Sequence, residues 1–236
     1  MRIAFAVAGA ALLTLFLKMR VKSPSASAAV IKSCVSLCFI LTALVGIAKN
    51  GISLGSACTF PCLLLLGLLF GMLGDIWLDL KYAHKEGSEV YTFTGLICFL
   101  LGHIAYIIAV IHRFYIPGNA LYLILAAAGF PLAALFMYFL SEKVLRMNYG
   151  KFKLITSIYG GALFSFFTFK LYLAILNKFG SSCLNLILAS SVFFMVSDFI
   201  LCGTYFGTAK VKKADIIVNH ITYYIAQFLV AFAVAG

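Results

Sequence analysis

The chain has 236 residues, 64% of them hydrophobic and only 11% charged, with a mean hydropathy of +1.10. Soluble domains carry about a quarter charged residues, so a water-soluble globule is excluded; the apolar runs do not alternate as barrel strands do. The net charge of +11 sits in Lys and Arg between those runs, which points to cytosolic loops of a helical membrane protein and away from nucleic acid.

Eight apolar segments follow in chain order: 3–17, 30–48, 58–80, 93–112, 119–140, 152–175, 183–205 and 214–235. A spanning helix needs about 20 residues. The expected fold is an all-α integral membrane protein, one transmembrane domain over 1–236, in which eight helices with short loops enclose a polar cavity in the cytosolic half. The first segment imitates a signal peptide, but Arg2 is the only charge before it, while Lys18, Arg20 and Lys22 follow it. That order favours a retained helix. Being short, the segment requires Lys18 to reach back to the interface or the bilayer to thin.

Most basic residues fall in alternate connections. Lys18, Arg20, Lys22 and Lys32 lie in the first, Lys81 and Lys85 in the third, Lys143, Arg146, Lys151 and Lys153 in the fifth, and Lys210, Lys212 and Lys213 in the seventh. The positive-inside bias therefore places odd loops in the cytosol and both termini outside, in a membrane taken to be the bacterial inner membrane. Tyr91, Tyr115, Tyr122 and Tyr149 suit interface belts. The seven cysteines show no metal-ligand spacing and read as small buried hydrophobes.

Ionisable side chains within such segments are expensive and point to function. At about 1.5 Å per residue, Asp75 and Asp198 fall in the cytosolic half, as do His103, His220, Tyr223 and Gln227. Tyr106 lies one turn beyond His103, Ser197 precedes Asp198, Tyr224 follows Tyr223, and Tyr159 reaches a similar depth. Lipid cannot satisfy these groups, so they are expected to face one another or water. Asp79 shares a face with Asp75 but lies nearer the surface, beside Lys81 and Lys85. Lys170 is the only lysine deep in a segment and lies in its outer half, so a purely structural Asp–Lys pair is not expected. The runs "GLLFGMLGD" and "YGGALFS" offer small residues for close helix approach.

"LGDIWL", "LLGHIAYI", "SDFIL" and "TYYIAQFLVA", in that order, resemble the YhhN family, eight-helix membrane proteins that include lysoplasmalogenases. The matching residues are Gly74, Asp75, His103, Tyr106, Ser197, Asp198, Tyr224 and Gln227; Asp79 is outside the pattern. The resemblance implies hydrolysis of the vinyl ether bond of a lysoplasmalogen to a fatty aldehyde and glycerophospho-ethanolamine or -choline. The expected partners are that lysophospholipid and membrane lipids, with no cofactor, metal or nucleic acid. One of Asp75 and Asp198 would act as general acid and the other as general base on water, the division of labour two carboxylates show in glycosidases. His103, Tyr106 and Tyr224 would orient water or the carboxylates.

Rival readings are a metal-dependent lipid hydrolase with His103 and His220 as ligands, a proton-coupled transporter, and an intramembrane aspartyl protease. No HxxxH or HExxH pair supports the first. No clear repeat supports the second. The GxGD signature of the third is absent from Gly71-Met72-Leu73-Gly74-Asp75.

Overall fold

The computed structural model describes residues 1–49, 59–83, 86–114 and 121–234, with the side chains of 83, 122, 123 and 125–128 left aside. The expected boundary residues 58, 119 and 235, together with Lys85 and Tyr115 and the Tyr122 side chain, lie outside this description. Among the described residues the chain is helical with no strand. Its helices are α1 (Arg2–Lys22), α2 (Ala26–Lys49), α3 (Phe60–Ala83), α4 (Ser88–Phe114), α5 (Leu121–Phe139), the short α6 (Ser141–Leu145), α7 (Lys153–Leu176), α8 (Ser182–Phe206) and α9 (Lys213–Ala233). Seven of the described helices are long and apolar enough to cross a bilayer: α1 to α4 and α7 to α9. The chain is an integral membrane protein.

The first helix is longer than expected. It runs 21 residues, so Lys18, Arg20 and Lys22 lie within it, and Arg20 is buried. The second begins four residues earlier than expected, so Lys32, counted above with the first connection, lies about two turns inside α2 and is buried. Both shifts have one cause: an aliphatic stem continues a helix readily while its charge finds a partner.

The chain divides into two compact units, Met1–Ala109 with Gln227–Gly236, and Val110–Ala226. In the first, α2 packs on both α1 and α3. The α3–α4 approach runs along glycines. A methyl built on Gly74 would lie 2.7 Å from the Phe99 ring, and one on Gly102 3.0 Å from the Gly67 carbonyl oxygen. Small residues on both partners let the two backbones close up, as small-residue stripes do in membranes.

In the second unit α7 is the central wall, with α5 and α8 both packed on it. Gly161 faces Ala134 and the Phe130 carbonyl of α5. The Ser181 side chain caps α8 by accepting from the Leu184 N–H at 3.3 Å. Arg146, in the left-handed region at φ 53°, ends α6. The connection that follows is tied to the α8–α9 turn. Met147 and Gly207 form an isolated antiparallel bridge, Asn148 N–H donates to the Phe206 carbonyl at 2.7 Å, and Thr208 donates to that of Arg146. Tyr149, expected at an interface, is buried in this corner, its hydroxyl 3.1 Å from the Met147 sulfur. Tyr91 stacks on Trp77. The six described cysteines are free thiols, and Cys34, Cys62 and Cys202 keep partial exposure.

Candidate functional site

Asp75 and Asp79 project from one face of α3 because they are four residues apart. Both are buried. Lys32 of α2 places its Nζ 3.2 Å from Asp75 Oδ1 and 3.3 Å from Asp79 Oδ1. Ser36, one turn on in α2, donates to Asp75 Oδ2 at 2.7 Å. Arg20 of α1 donates to Asp79 Oδ1 at 3.4 Å while its guanidinium stacks on the Tyr82 ring, 3.7 Å from the centroid. Three helices are thus joined through two carboxylates and two cations.

This corrects one expectation. Cations do lie at the depth of Asp75, but they come from α1 and α2, whose basic residues belong by sequence to a loop. Asp79 is no simple interfacial residue either, being as buried as Asp75 and bonded to both cations. Lys170, the lysine singled out from the sequence, is fully buried in α7; it donates to the Ile187 carbonyl at 3.2 Å and sits over the Phe166 ring.

The same unit brings together three more of the expected residues. Tyr106 donates to Gln227 Oε1 at 3.0 Å, and His103 meets the Tyr106 ring edge to face, all three buried. Gly67 makes room for Tyr106, whose ring occupies the space a side chain would take.

Asp198 belongs to the second unit. Among the described residues its hydrogen-bond partner is Tyr159 of α7, whose hydroxyl donates to Oδ2 at 2.6 Å. Among the described residues no cation pairs with it. Asp198 and Tyr159 line a cavity of about 530 Å³ between α5, α7 and α8. The rest of the lining is nearly all apolar, with Leu132, Phe136 and Met137 from α5, Leu163 and Phe164 from α7, and Phe199 and Cys202 from α8. Such a volume, apolar with few polar groups, is typical of a small-ligand site.

The remaining expected residues of this unit serve other bonds. Ser197 accepts from Asn219 Nδ2, at 2.7 Å on its carbonyl and 3.1 Å on its hydroxyl. His220 Nδ1 lies 2.7 Å from the Ile216 carbonyl one turn back, so that nitrogen carries the hydrogen. Tyr223 packs edge to face on Phe194 and on Tyr224. Arg20, Lys32, Ser36 and Asn219 were missed by the sequence reading. For Lys32 and Ser36 a signal existed: they stand four apart, matching the spacing of Asp75 and Asp79. Among the described residues no three His, Cys, Asp or Glu side chains converge as a metal-holding group.

A family model for the YhhN family matches residues 27–234. No curated protein and no solved structure matches the chain.

Proposed function

This chain belongs to the YhhN family, and from that premise we propose that it is a lysoplasmalogenase-like hydrolase of the vinyl ether bond of lysoplasmenyl lipids. The observation that carries the reading is the Asp198–Tyr159 pair set in an apolar cavity among membrane-spanning helices. A vinyl ether hydrolyses when its β-carbon takes a proton. The oxocarbenium-like cation that results is captured by water at the carbon bearing oxygen. The hemiacetal then collapses to the fatty aldehyde and the glycerophospho alcohol; the donated proton stays on carbon, and a proton lost by the captured water restores the carboxyl. One water is consumed, and no cofactor enters the reading.

Asp198 is assigned proton transfer because it is the carboxyl that lines the cavity. Tyr159 orients it through Oδ2, leaving Oδ1 for substrate. Asp75 is the second acid carried by the resemblance, and Lys32 and Ser36 fix its orientation. The reading takes α5 as an eighth crossing, so that both termini share one face; with the basic connections in the cytosol of a bacterial inner membrane, that face is the outer one.

The test is aldehyde release by detergent-purified protein from paired vinyl-ether and ester lysophospholipids. Aldehyde is expected from the vinyl ether alone; a transporter would release none. Asp198→Asn and Asp75→Asn are each expected to lower turnover by at least about 10²-fold, the lower end of acid–base contributions. A well-folded variant with near-wild-type turnover removes that residue from the mechanism.

A further inference from the structure

The cavity beside Asp198 is lined by α5 and α8, and each packs on α7. Among the described residues α5 and α8 make no comparable contact with one another. The result is a groove with α7 as its back wall. Its lining grades in exposure. Leu163, Tyr159 and Asp198 are buried, whereas Leu132 is 66%, Phe136 46% and Phe199 58% exposed. Large apolar side chains that line a cavity and are also exposed mark its mouth. Here the exposed Leu132, Phe136 and Phe199 lie on α5 and α8, along helices rather than in a loop.

The lining continues onto Leu145 of α6 and Met147 and Tyr149 of the α6–α7 connection. That connection is pinned to the α8–α9 turn and carries exposed Arg146 and Lys151, with exposed Lys143 just before it in α6. Apolar walls therefore lead to a basic end, the charge pattern that complements a chain attached to a phosphate.

We propose that this groove holds one aliphatic chain of a phosphate-bearing single-chain lipid, admitted laterally from the bilayer between α5 and α8, with the phosphate at the basic α6–α7 connection. The aliphatic chain and the phosphate are argued from the lining and the charge beside it; the restriction to a single chain, and the placing of the cleaved bond beside Asp198, rest on the functional reading above.

The test uses the full chain in phosphatidylcholine vesicles and a lysophospholipid with a photoreactive diazirine in its chain, followed by peptide mapping. Adducts are expected on the α5 and α8 segments that carry Leu132, Phe136 and Phe199. Excess unlabelled lysophospholipid is expected to reduce them at least tenfold. Ala133→Trp, which fills the groove, is expected to reduce them at least fivefold, and Leu163→Trp does the same if the first variant fails to fold. Adducts spread evenly over every lipid-exposed helix overturn the proposal, as does labelling insensitive to both fillings. So does equal, competable labelling by a two-chain probe. Labelling is read without turnover. Groove adducts in a protein that releases no aldehyde therefore keep the groove and discard the reaction, while aldehyde release without groove adducts does the reverse.

Discussion

Lys32 Nζ lies 3.2 Å from Asp75 and 3.3 Å from Asp79, so a single ammonium serves two carboxylates that have almost no access to solvent. Removing one partner of a buried pair leaves an uncompensated charge, at about 3–5 kcal/mol. Lys32→Met is accordingly expected to lower the unfolding free energy in detergent by that amount. Lys32→Met combined with Asp79→Asn removes one charge of each sign and is expected to recover a good part of it. Equal loss in the single and double variants would show that charge balance is not what Lys32 supplies. Asp198 differs in kind, since its partner is a phenol. Tyr159→Phe is expected to lower aldehyde release by roughly tenfold, less than Asp198→Asn, because the variant removes orientation and keeps the carboxyl. Asp75, Asp198, His103, Tyr106 and Gln227 were legible as buried polar groups because a polar side chain in an apolar run stands out one residue at a time. Lys32 and Arg20 were not, because a cation near the end of an apolar run reads equally well as loop.

Glycines set how closely the helices of each unit approach. A methyl at Gly161 would lie 2.8 Å from Ala134 Cβ and 2.9 Å from the Phe130 carbonyl oxygen, both parts of the α5 frame that yield little. At neighbouring Gly160 the nearest atoms are the flexible Met137 tip, at 3.1 to 3.3 Å. Gly161→Ala is expected to destabilise by about 1–3 kcal/mol through overpacking. Gly160→Ala is expected to be near neutral, because the helix gain of up to about 1 kcal/mol offsets a small shift of the Met137 side chain. Parallel thermal melts decide this, and equal effects would refute the contrast. The α6–α7 connection is held by Glu142, which accepts from Lys153 Nζ at 2.7 Å and from Tyr149 N–H at 3.2 Å. The Lys153 hydrogen bond, then that of Tyr149, holds the Glu142 carboxyl below its usual range. A group lowered on folding contributes stability that is complete above the unfolded carboxyl value of about 4.3 and is lost as pH falls through the lower folded value. Amide exchange of residues 147–150 is therefore expected to accelerate below about pH 4.3 in the native chain. In Glu142→Gln it is expected to be fast at every pH, and an unchanged profile in that variant would remove Glu142 as the cause.

Charge along the whole chain bears on its orientation. The α1–α2, α3–α4, α6–α7 and α8–α9 connections, or the helix ends beside them, carry most of the basic residues. Reporter fusions at both termini are expected to be active on the outer face, and one after Lys210 on the cytosolic face; termini on opposite faces would overturn the eight-crossing topology. By itself the sequence determined the membrane class, the helices to within a few residues, the family and the short list of buried acids. Each of these depends on local hydropathy or on short runs of neighbouring residues. Only the tertiary structure decided that Lys32 and Arg20 neutralise Asp75 and Asp79, that Tyr159 is the partner of Asp198, and that a groove opens between α5 and α8. Those facts depend on how each helix is rotated about its axis and how near its neighbour lies. Long side chains and glycine contacts from distant segments set both, and no single stretch of sequence contains them.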